Sequence, residues 1–97
     1  MPKAYWIASY ISIKDPGALA AYSRLGLPVI EAAGGRILAR GMPGEVYEHG
    51  LRQRIAVIEF DSIDLARDTY NSPAYQEALK HLGDVVERDV RIIEAVE

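Results

Sequence analysis

The segment from Gly34 to Tyr75 constrains the fold of this chain more than any other part of its sequence. Gly34-Gly35 predicts a helix end, because glycine adopts the left-handed conformation of a helix cap without strain. Two runs typical of β-strands follow, Arg36 to Gly41 and Arg54 to Phe60. Asn71-Ser72-Pro73 then predicts that one helix breaks and another starts, with Ser72 as N-cap and Pro73 in the first turn. The segment thus predicts a helix end, a hairpin and two helical pieces.

The flanking sequence supplies the remaining elements. Lys3 to Ile13 is rich in aromatic and β-branched residues, which favour a strand. Asp15-Pro16 predicts the start of a helix that runs to Gly34-Gly35, and Pro28 predicts a kink or short break inside it. The predicted buried stripe of this helix is Leu19, Tyr22, Leu25, Val29, Ile30 and Ala33. Ser62 is the predicted N-cap of the next helix, Gly83-Asp84 ends the last one, and Arg88 to Val96 is the final strand.

The resulting order, β-α-β-β-α-β, predicts a single α+β domain over residues 1–97 with a ferredoxin-like sheet and both helices on one face. The first and third strands should be central, and both read as apolar on their two faces. Because the helices cover only one face, a monomer would expose a contiguous apolar patch, which is rare. We therefore expect a homodimer that packs sheet against sheet.

Composition excludes several classes of function. The chain contains no cysteine, so disulfides and thiolate chemistry are absent. Its net charge is −3 with scattered arginines, which argues against nucleic-acid binding because phosphate backbones need a clustered basic face. No run approaches the ~18 apolar residues of a membrane span, and no signal peptide is visible, so we expect a cytoplasmic protein. His49 and His81 stand isolated, which predicts no metal site.

Two polar residues on the hairpin are candidates for chemistry. If Gly41 lies opposite Arg54, then Arg36 and Glu59 face each other across the ladder. One interpretation is a structural ion pair. The other is that Glu59 is a catalytic base, with an arginine holding an anionic substrate. Arg40, at the end of its strand, could bind a substrate carboxylate or an acid of the dimer partner.

Aromatic residues could form the wall of a ligand site between helices and sheet. Tyrosine combines an apolar ring with a polar tip, which suits an aromatic or small apolar ligand. For Tyr22 and Tyr75 we favour core packing. Tyr70 precedes the helix break and is the better cleft candidate. The predicted substrate-binding set is Trp6, Tyr10 and Tyr70, with Glu59 and Arg40 as the predicted catalytic pair.

An ordered set of short motifs resembles domain-of-unknown-function family 1330, which belongs to the dimeric α/β-barrel superfamily. The resemblance covers nearly the whole chain. The motifs are Ala4-Tyr5-Trp6-Ile7-Ala8, Asp15-Pro16, Gly34-Gly35-Arg36, Leu38-Ala39-Arg40-Gly41, Val57-Ile58-Glu59-Phe60 with Ser62, Asn71-Ser72-Pro73-Ala74-Tyr75-Gln76 and Arg88-Asp89-Val90-Arg91-Ile92-Ile93-Glu94.

The resemblance implies the fold and a dimer, but no established reaction. The superfamily includes cofactor-free monooxygenases acting on aromatic polyketides, haem-degrading enzymes and muconolactone isomerases. The haem-degrading branch carries a Trp and a His where this chain has Thr69 and Leu79, which disfavours haem. Two hypotheses remain: a cofactor-free enzyme, monooxygenase- or isomerase-like, acting on a small aromatic or carbonyl compound, or a non-catalytic dimer that binds a ligand or a protein partner.

Overall fold

A computed structural model describes residues 2–96 as a four-stranded antiparallel sheet with helices packed on one face. The strands are β1 (Ala4–Ile13), β2 (Arg36–Gly41), β3 (Ile55–Phe60) and β4 (Val86–Glu94), and the helices are α1 (Pro16–Ala32), α2 (Ile63–Tyr70) and α3 (Pro73–Leu79). The sheet order is β2-β3-β1-β4. The prediction that the first and third strands are central is therefore confirmed.

Side-chain caps start all three helices as the sequence predicts. The carboxylate of Asp15 accepts a hydrogen bond of 2.9 Å from the amide of Gly17. The hydroxyl of Ser62 accepts one of 3.1 Å from Leu65, and that of Ser72 accepts one of 3.3 Å from Tyr75. Each cap satisfies an amide that the first turn leaves unpaired. The predicted break between α2 and α3 is confirmed, with Pro73 as the first residue of α3.

The glycine pair after α1 permits a tight turn into β2. Gly34 has φ of +96°, a conformation that side chains disfavour. A Cβ on Gly35 would lie 2.6 Å from Cγ2 of Ile30 and 2.9 Å from Cζ of Phe60. Glycine at both positions thus lets β2 start directly beneath the end of α1.

Helix α1 departs from its prediction at two positions. Of the kink or short break predicted at Pro28, the break does not occur, because α1 is continuous from Pro16 to Ala32. Pro28 and Arg24 both lie on the exposed side, where water can solvate the Arg24 carbonyl that proline leaves unpaired. Leu25 was expected in the buried stripe but is 48% exposed. The buried line instead runs through residues four apart: Tyr22, Gly26 and Ile30.

Alternate residues of β1 face opposite sides of the sheet. Those that point toward the helices, on what we call the helix face, are buried: Ala4, Trp6, Ala8 and Tyr10. Those on the other side, the open face, are only partly buried or exposed: Tyr5, Ile7, Ser9 and Ile11. The two faces therefore have different solvent exposure although both carry apolar side chains.

A β-bulge at Leu38 changes the register of the hairpin. Arg36 pairs with Glu59, as predicted, but the pairing shifts between Ile37 and Ala39. As a result Gly41 lies opposite Ile55, and the predicted pairing of Gly41 with Arg54 is wrong. The extra residue in β2 shifts the pairing with β3 by one position. A register inferred from one end of the hairpin therefore does not hold at the other end.

The last strand starts two residues earlier than the predicted Arg88, and it ends at Glu94 rather than Val96. Its pairing with β1 places Arg88 opposite Tyr10. Directly paired residues share a face of the sheet, so Arg88 lies on the helix face. Between residues 2 and 96, no helix has both the length and the apolar character needed to cross a membrane.

Candidate functional site

Four side chains form an arginine–tyrosine cluster where the helix face of the sheet meets the helices: Tyr10, Tyr22, Tyr75 and Arg88. Arg88 Nη2 donates a hydrogen bond of 2.8 Å to the Tyr75 hydroxyl, and Nη1 donates a longer one of 3.4 Å to the Tyr22 hydroxyl. The two hydroxyls are hydrogen-bonded to each other. The guanidinium carbon lies 4.9 Å from the centre of the Tyr22 ring and 5.8 Å from that of Tyr10, within cation–π range.

Four different elements bring this cluster together. Tyr10 and Arg88 are direct partners in the ladder between β1 and β4. Tyr22 lies on the buried line of α1, and Tyr75 lies in the first turn of α3, where the Ser72 cap fixes its backbone. The cluster therefore forms only when both helices pack on the sheet.

The environment keeps Arg88 charged and Tyr10 and Tyr75 neutral. Burial alone would lower the pKa of Arg88, but Tyr22 and Tyr75 raise it above its ordinary value overall. Burial raises the pKa of Tyr75, and burial also raises that of Tyr10. At neutral pH the Arg88 cation therefore lies beside the uncharged phenols of Tyr10 and Tyr75.

A cavity of about 20 Å³ adjoins the cluster between α1 and the sheet. It is lined by Trp6, Ala8, Tyr10, Tyr22, Ser23, Leu27, Arg40, Arg54, Ala56, Ile58 and Arg88. Three of these side chains are cationic and, among the described lining residues, none is acidic. The volume is enough for one water-sized group.

Aromatic packing supports one side of this cavity. Trp6 is fully buried and stacks on Phe60 at 5.9 Å between ring centres. Its ring lies 5.1 Å from that of Tyr75 in an edge-on arrangement and 5.4 Å from that of Tyr70. Offset and edge-on contacts of this kind hold the rings in fixed positions.

Three of the five predicted site residues come together at the cavity: Trp6, Tyr10 and Arg40. The bulge at Leu38 turns Arg40 toward the helix face, where it pairs with Ala56. Tyr70 contacts Trp6 but lines a separate cleft of about 340 Å³ with Arg67, Asn71, Val90 and Ile92. Whether these side chains bind a substrate stays a prediction.

Glu59, the fifth predicted residue, lies on the open face, across the sheet from the cavity. Its Oε1 accepts a 2.8 Å ion-paired hydrogen bond from Arg36 Nε and lies 3.5 Å from Lys3 Nζ. The hydrogen bond from Arg36 holds the pKa of Glu59 below its usual value. The structural ion pair predicted from the sequence is confirmed. Arg40, the other predicted catalytic residue, lies on the opposite face of the sheet. A catalytic role for Glu59 stays a prediction.

Sequence reasoning missed Arg88 and Arg54 as site residues. A signal for Arg88 was present, because Arg88, Val90 and Ile92 alternate along the last strand and so share one face. Since Val90 and Ile92 are apolar and face the helices, the same alternation places Arg88 inward. Arg54 follows the long loop and carries no comparable pattern.

Other features of the described residues offer less chemistry. Nowhere between residues 2 and 96 do three or more His, Cys, Asp or Glu side chains gather in a way that could hold a metal ion. His49 and His81 are both exposed. A second cavity, of about 490 Å³, lies on the open face beneath the loop between β2 and β3, with Ile11, Ile55, Asp89 and Arg91 on its floor.

Solved structures similar to this chain share its fold. A protein of unknown function from Rhodopseudomonas palustris matches with a TM-score of 0.78 and 20% identity, over 99% of this chain and 84% of that one. A dimeric protein of unknown function with a ferredoxin-like fold, from Bacteroides fragilis, matches with a TM-score of 0.65 and 14% identity, over 96% of each chain. At such identities the likeness establishes the fold alone.

An oxygenase also shares this fold. SnoaB, a cofactor-independent oxygenase from Streptomyces nogalater, matches with a TM-score of 0.66 and 8% identity, over 100% of this chain and 96% of that one. No curated protein matches this chain by sequence. The sequence profile of the domain of unknown function DUF1330 matches residues 3–96. The chain therefore belongs to the DUF1330 family.

Proposed function

We propose that this protein is a homodimer in which each subunit binds a small aromatic or carbonyl compound between its helices and its sheet and acts on it without a cofactor. The observation that carries the proposal is the arginine–tyrosine cluster, where Arg88 meets two phenolic hydroxyls beside a cavity. The fold shared with a cofactor-independent oxygenase supports the same chemistry.

The open face supports the dimer. Several of its large apolar side chains are more than two-fifths exposed: Ile11 (44%), Leu38 (54%) and Ile93 (58%). They surround the half-buried Ile7 and Val57 of the central strands. A face of this kind is rarely left to solvent, and a similar fold in Bacteroides fragilis is dimeric. A second copy packed sheet to sheet would cover it.

The size of the cavity limits how a substrate enters. About 20 Å³ accepts one oxygen atom or small group, whereas pockets for drug-sized molecules span roughly 300–1,000 Å³. The body of an aromatic substrate therefore requires α1 to move away from the sheet. Tyr22, Ser23 and Leu27 form the α1 side of the cavity, and theirs are the contacts that such an opening would release.

A second candidate is a dimer that binds a small molecule without changing it. The observation that favours it is the position of Glu59, the carboxylate expected to act as base. Because Glu59 is held by Arg36 and Lys3 on the open face, it lies away from the cavity. In this case the cluster would recognise the ligand, and no reaction would follow.

A thermal-shift screen of aromatic and carbonyl compounds tests both candidates. A compound that raises the melting temperature is then incubated with the protein and chelator in air, and the mixture is analysed by mass spectrometry and oxygen uptake. An enzyme yields a product that Arg88→Gln no longer forms. A compound that binds but is recovered unchanged supports the second candidate, and a screen without any hit contradicts both.

A further inference from the structure

We propose that the site takes its ligand as an organic oxyanion, a carboxylate, phenolate or enolate, whose oxygen lies in the small cavity against Arg88 and Trp6. The inference rests on the proposed function, because it specifies the chemical class of the compound bound there. It comes from the charges, donors and acceptors that line the cavity.

The first observation is an unbalanced positive charge. Arg40, Arg54 and Arg88 all line the cavity. Within residues 2–96, none of the three has a carboxylate oxygen within the 4.0 Å of an ion pair. Arg54 and Arg88 are also partly removed from solvent. A partly buried cation without a counter-charge is costly, and a bound anion would remove that cost.

The second observation is an unused donor. The indole Nε1 of Trp6 is buried and meets no hydrogen-bond acceptor in the part of the chain that the structure describes. Buried donors are nearly always paired, because an unpaired one has lost its hydrogen bond to water without gaining another. Trp6 lines the same cavity as Arg88, so we propose that, once α1 moves away from the sheet, an entering ligand oxygen accepts from this indole as well as from Arg88.

The third observation is the lack of a base. The groups that face Arg88 from the packed elements are Tyr10 on β1, Tyr22 on α1 and Tyr75 on α3. The remaining charged groups of the lining are Arg40 and Arg54, and a guanidinium acts as a hydrogen-bond donor only. No carboxylate or imidazole belongs to the described lining that could take up a proton, so a ligand that is already ionised in solution suits the site best. Compounds that ionise below neutral pH are therefore the favoured class.

Benzoate and its neutral analogue benzamide provide a direct test. They have similar shape, but only benzoate carries a negative charge. Titrations of the intact protein followed by NMR should show benzoate binding at least about tenfold more tightly, as expected for one charge-assisted contact. Because Trp6 is the sole tryptophan, its indole N–H signal is unambiguous, and benzoate should shift it.

Three variants show which arginine is responsible for the preference for benzoate over benzamide. Arg88→Gln should reduce the ratio of benzoate to benzamide affinity to about one. Arg91→Gln is the matched control, since Arg91 lies three residues further on, faces the open side and pairs with Asp89. It should leave the ratio unchanged. If Arg88→Gln does not fold, Arg54→Gln, whose side chain forms no ion pair among residues 2–96, should still lower the ratio.

A second probe separates phenolates from carboxylates. The affinity for 4-nitrophenol, which ionises near neutral pH, should rise with pH in step with its own ionisation if the site accepts phenolates, and stay flat if only carboxylates fit. Benzamide binding as tightly as benzoate, with the same effect on the Trp6 signal, would overturn the oxyanion inference and leave the proposed function intact. Binding of none of the three probes would count against both.

Discussion

The two faces of the sheet use arginine in opposite ways. On the open face, Arg36 donates to Glu59 at 2.8 Å and to Asp61 at 2.9 Å, so its charge is neutralised by two acids. It also donates to the carbonyl of Gly34, which ties the end of α1 to the hairpin. On the helix face, Arg88 meets only neutral hydroxyls and aromatic rings in the described structure.

The difference separates a structural role from a binding role. A neutralised arginine on a solvated surface holds parts of the chain together and has little left to offer a ligand. A partly buried arginine that meets hydroxyl acceptors and aromatic rings, and no carboxylate, keeps most of its charge available to a ligand. The same residue type therefore indicates a binding site on one face and not on the other. Four substitutions, made on one side of the sheet or the other, test the different roles of the two faces.

The largest effect is expected for Trp6→Ala. Trp6 is fully buried between Phe60, Tyr70 and Tyr75, so its removal leaves a void that the aromatic neighbours cannot fill. We expect a loss of about 3–5 kcal/mol in the free energy of unfolding, measured with urea. Tyr47→Ala, in an exposed loop position, is the control and should change it by less than about 0.5 kcal/mol. Equal losses would contradict the core assigned to the helix face.

A lysine on the open face should separate the subunits. Ile7 lies on central β1, and Ile7→Lys places a charge in the middle of the proposed interface. We expect dimer affinity to weaken by about 2 kcal/mol or more, seen as a shift to monomer in sedimentation velocity. Leu25→Lys, on the exposed side of α1, should leave the assembly unchanged. A wild-type protein that sediments as a monomer would end the dimer proposal.

Removing one hydroxyl tests the cluster itself. Tyr75→Phe keeps the ring but deprives Arg88 and Tyr22 of a hydrogen-bond partner. We expect the free energy of unfolding to fall by about 1–3 kcal/mol, because a partly buried cation loses its shortest contact. The same urea titration measures it, with Tyr47→Phe as the control. No loss would mean that the cluster contributes little to the folded state.

The smallest effect is expected for Glu59→Gln. Because the folded pKa of Glu59 lies below its unfolded value, its pairing stabilises the protein at neutral pH, and that stabilisation is lost as pH falls through the lowered pKa. The stability difference between wild type and variant should therefore shrink below about pH 4.3, the ordinary pKa of glutamate. Urea midpoints across this range measure it, with the exposed Glu87→Gln as control. A constant difference would contradict the ion pair.

Most of the fold followed from local signals in the sequence. The caps at Asp15, Ser62 and Ser72 act within one helical turn, so short motifs suffice to predict them. The break at Pro28 did not occur, because the effect of proline depends on whether water reaches the carbonyl it leaves unpaired. The prediction that Leu25 is buried was wrong for a similar reason. The buried side of α1 is decided by what packs against it, and Gly26 fits beneath Tyr22.

The candidate site was predictable only in part. Trp6, Tyr10 and Arg40 were found because aromatic and basic residues near central strands are natural candidates. The tertiary contact that defines the site, from Arg88 to tyrosines on two helices, joins residues up to 66 positions apart and leaves no local pattern. Sequence spacing could place Arg88 on the correct face, but not name its partners.

The bulge at Leu38 has a consequence for how this hairpin can change in evolution. In a regular strand, residues 36 and 40 would point the same way, since side chains alternate with a period of two. Because Leu38 is an extra residue in the ladder, Arg40 lies only three paired positions after Arg36. Arg36 therefore points to the open face and Arg40 to the helix face. A homologue that lost this exposed leucine would have a regular strand with both arginines still on opposite sides. A one-residue deletion at this point would therefore leave each arginine on its present face of the sheet.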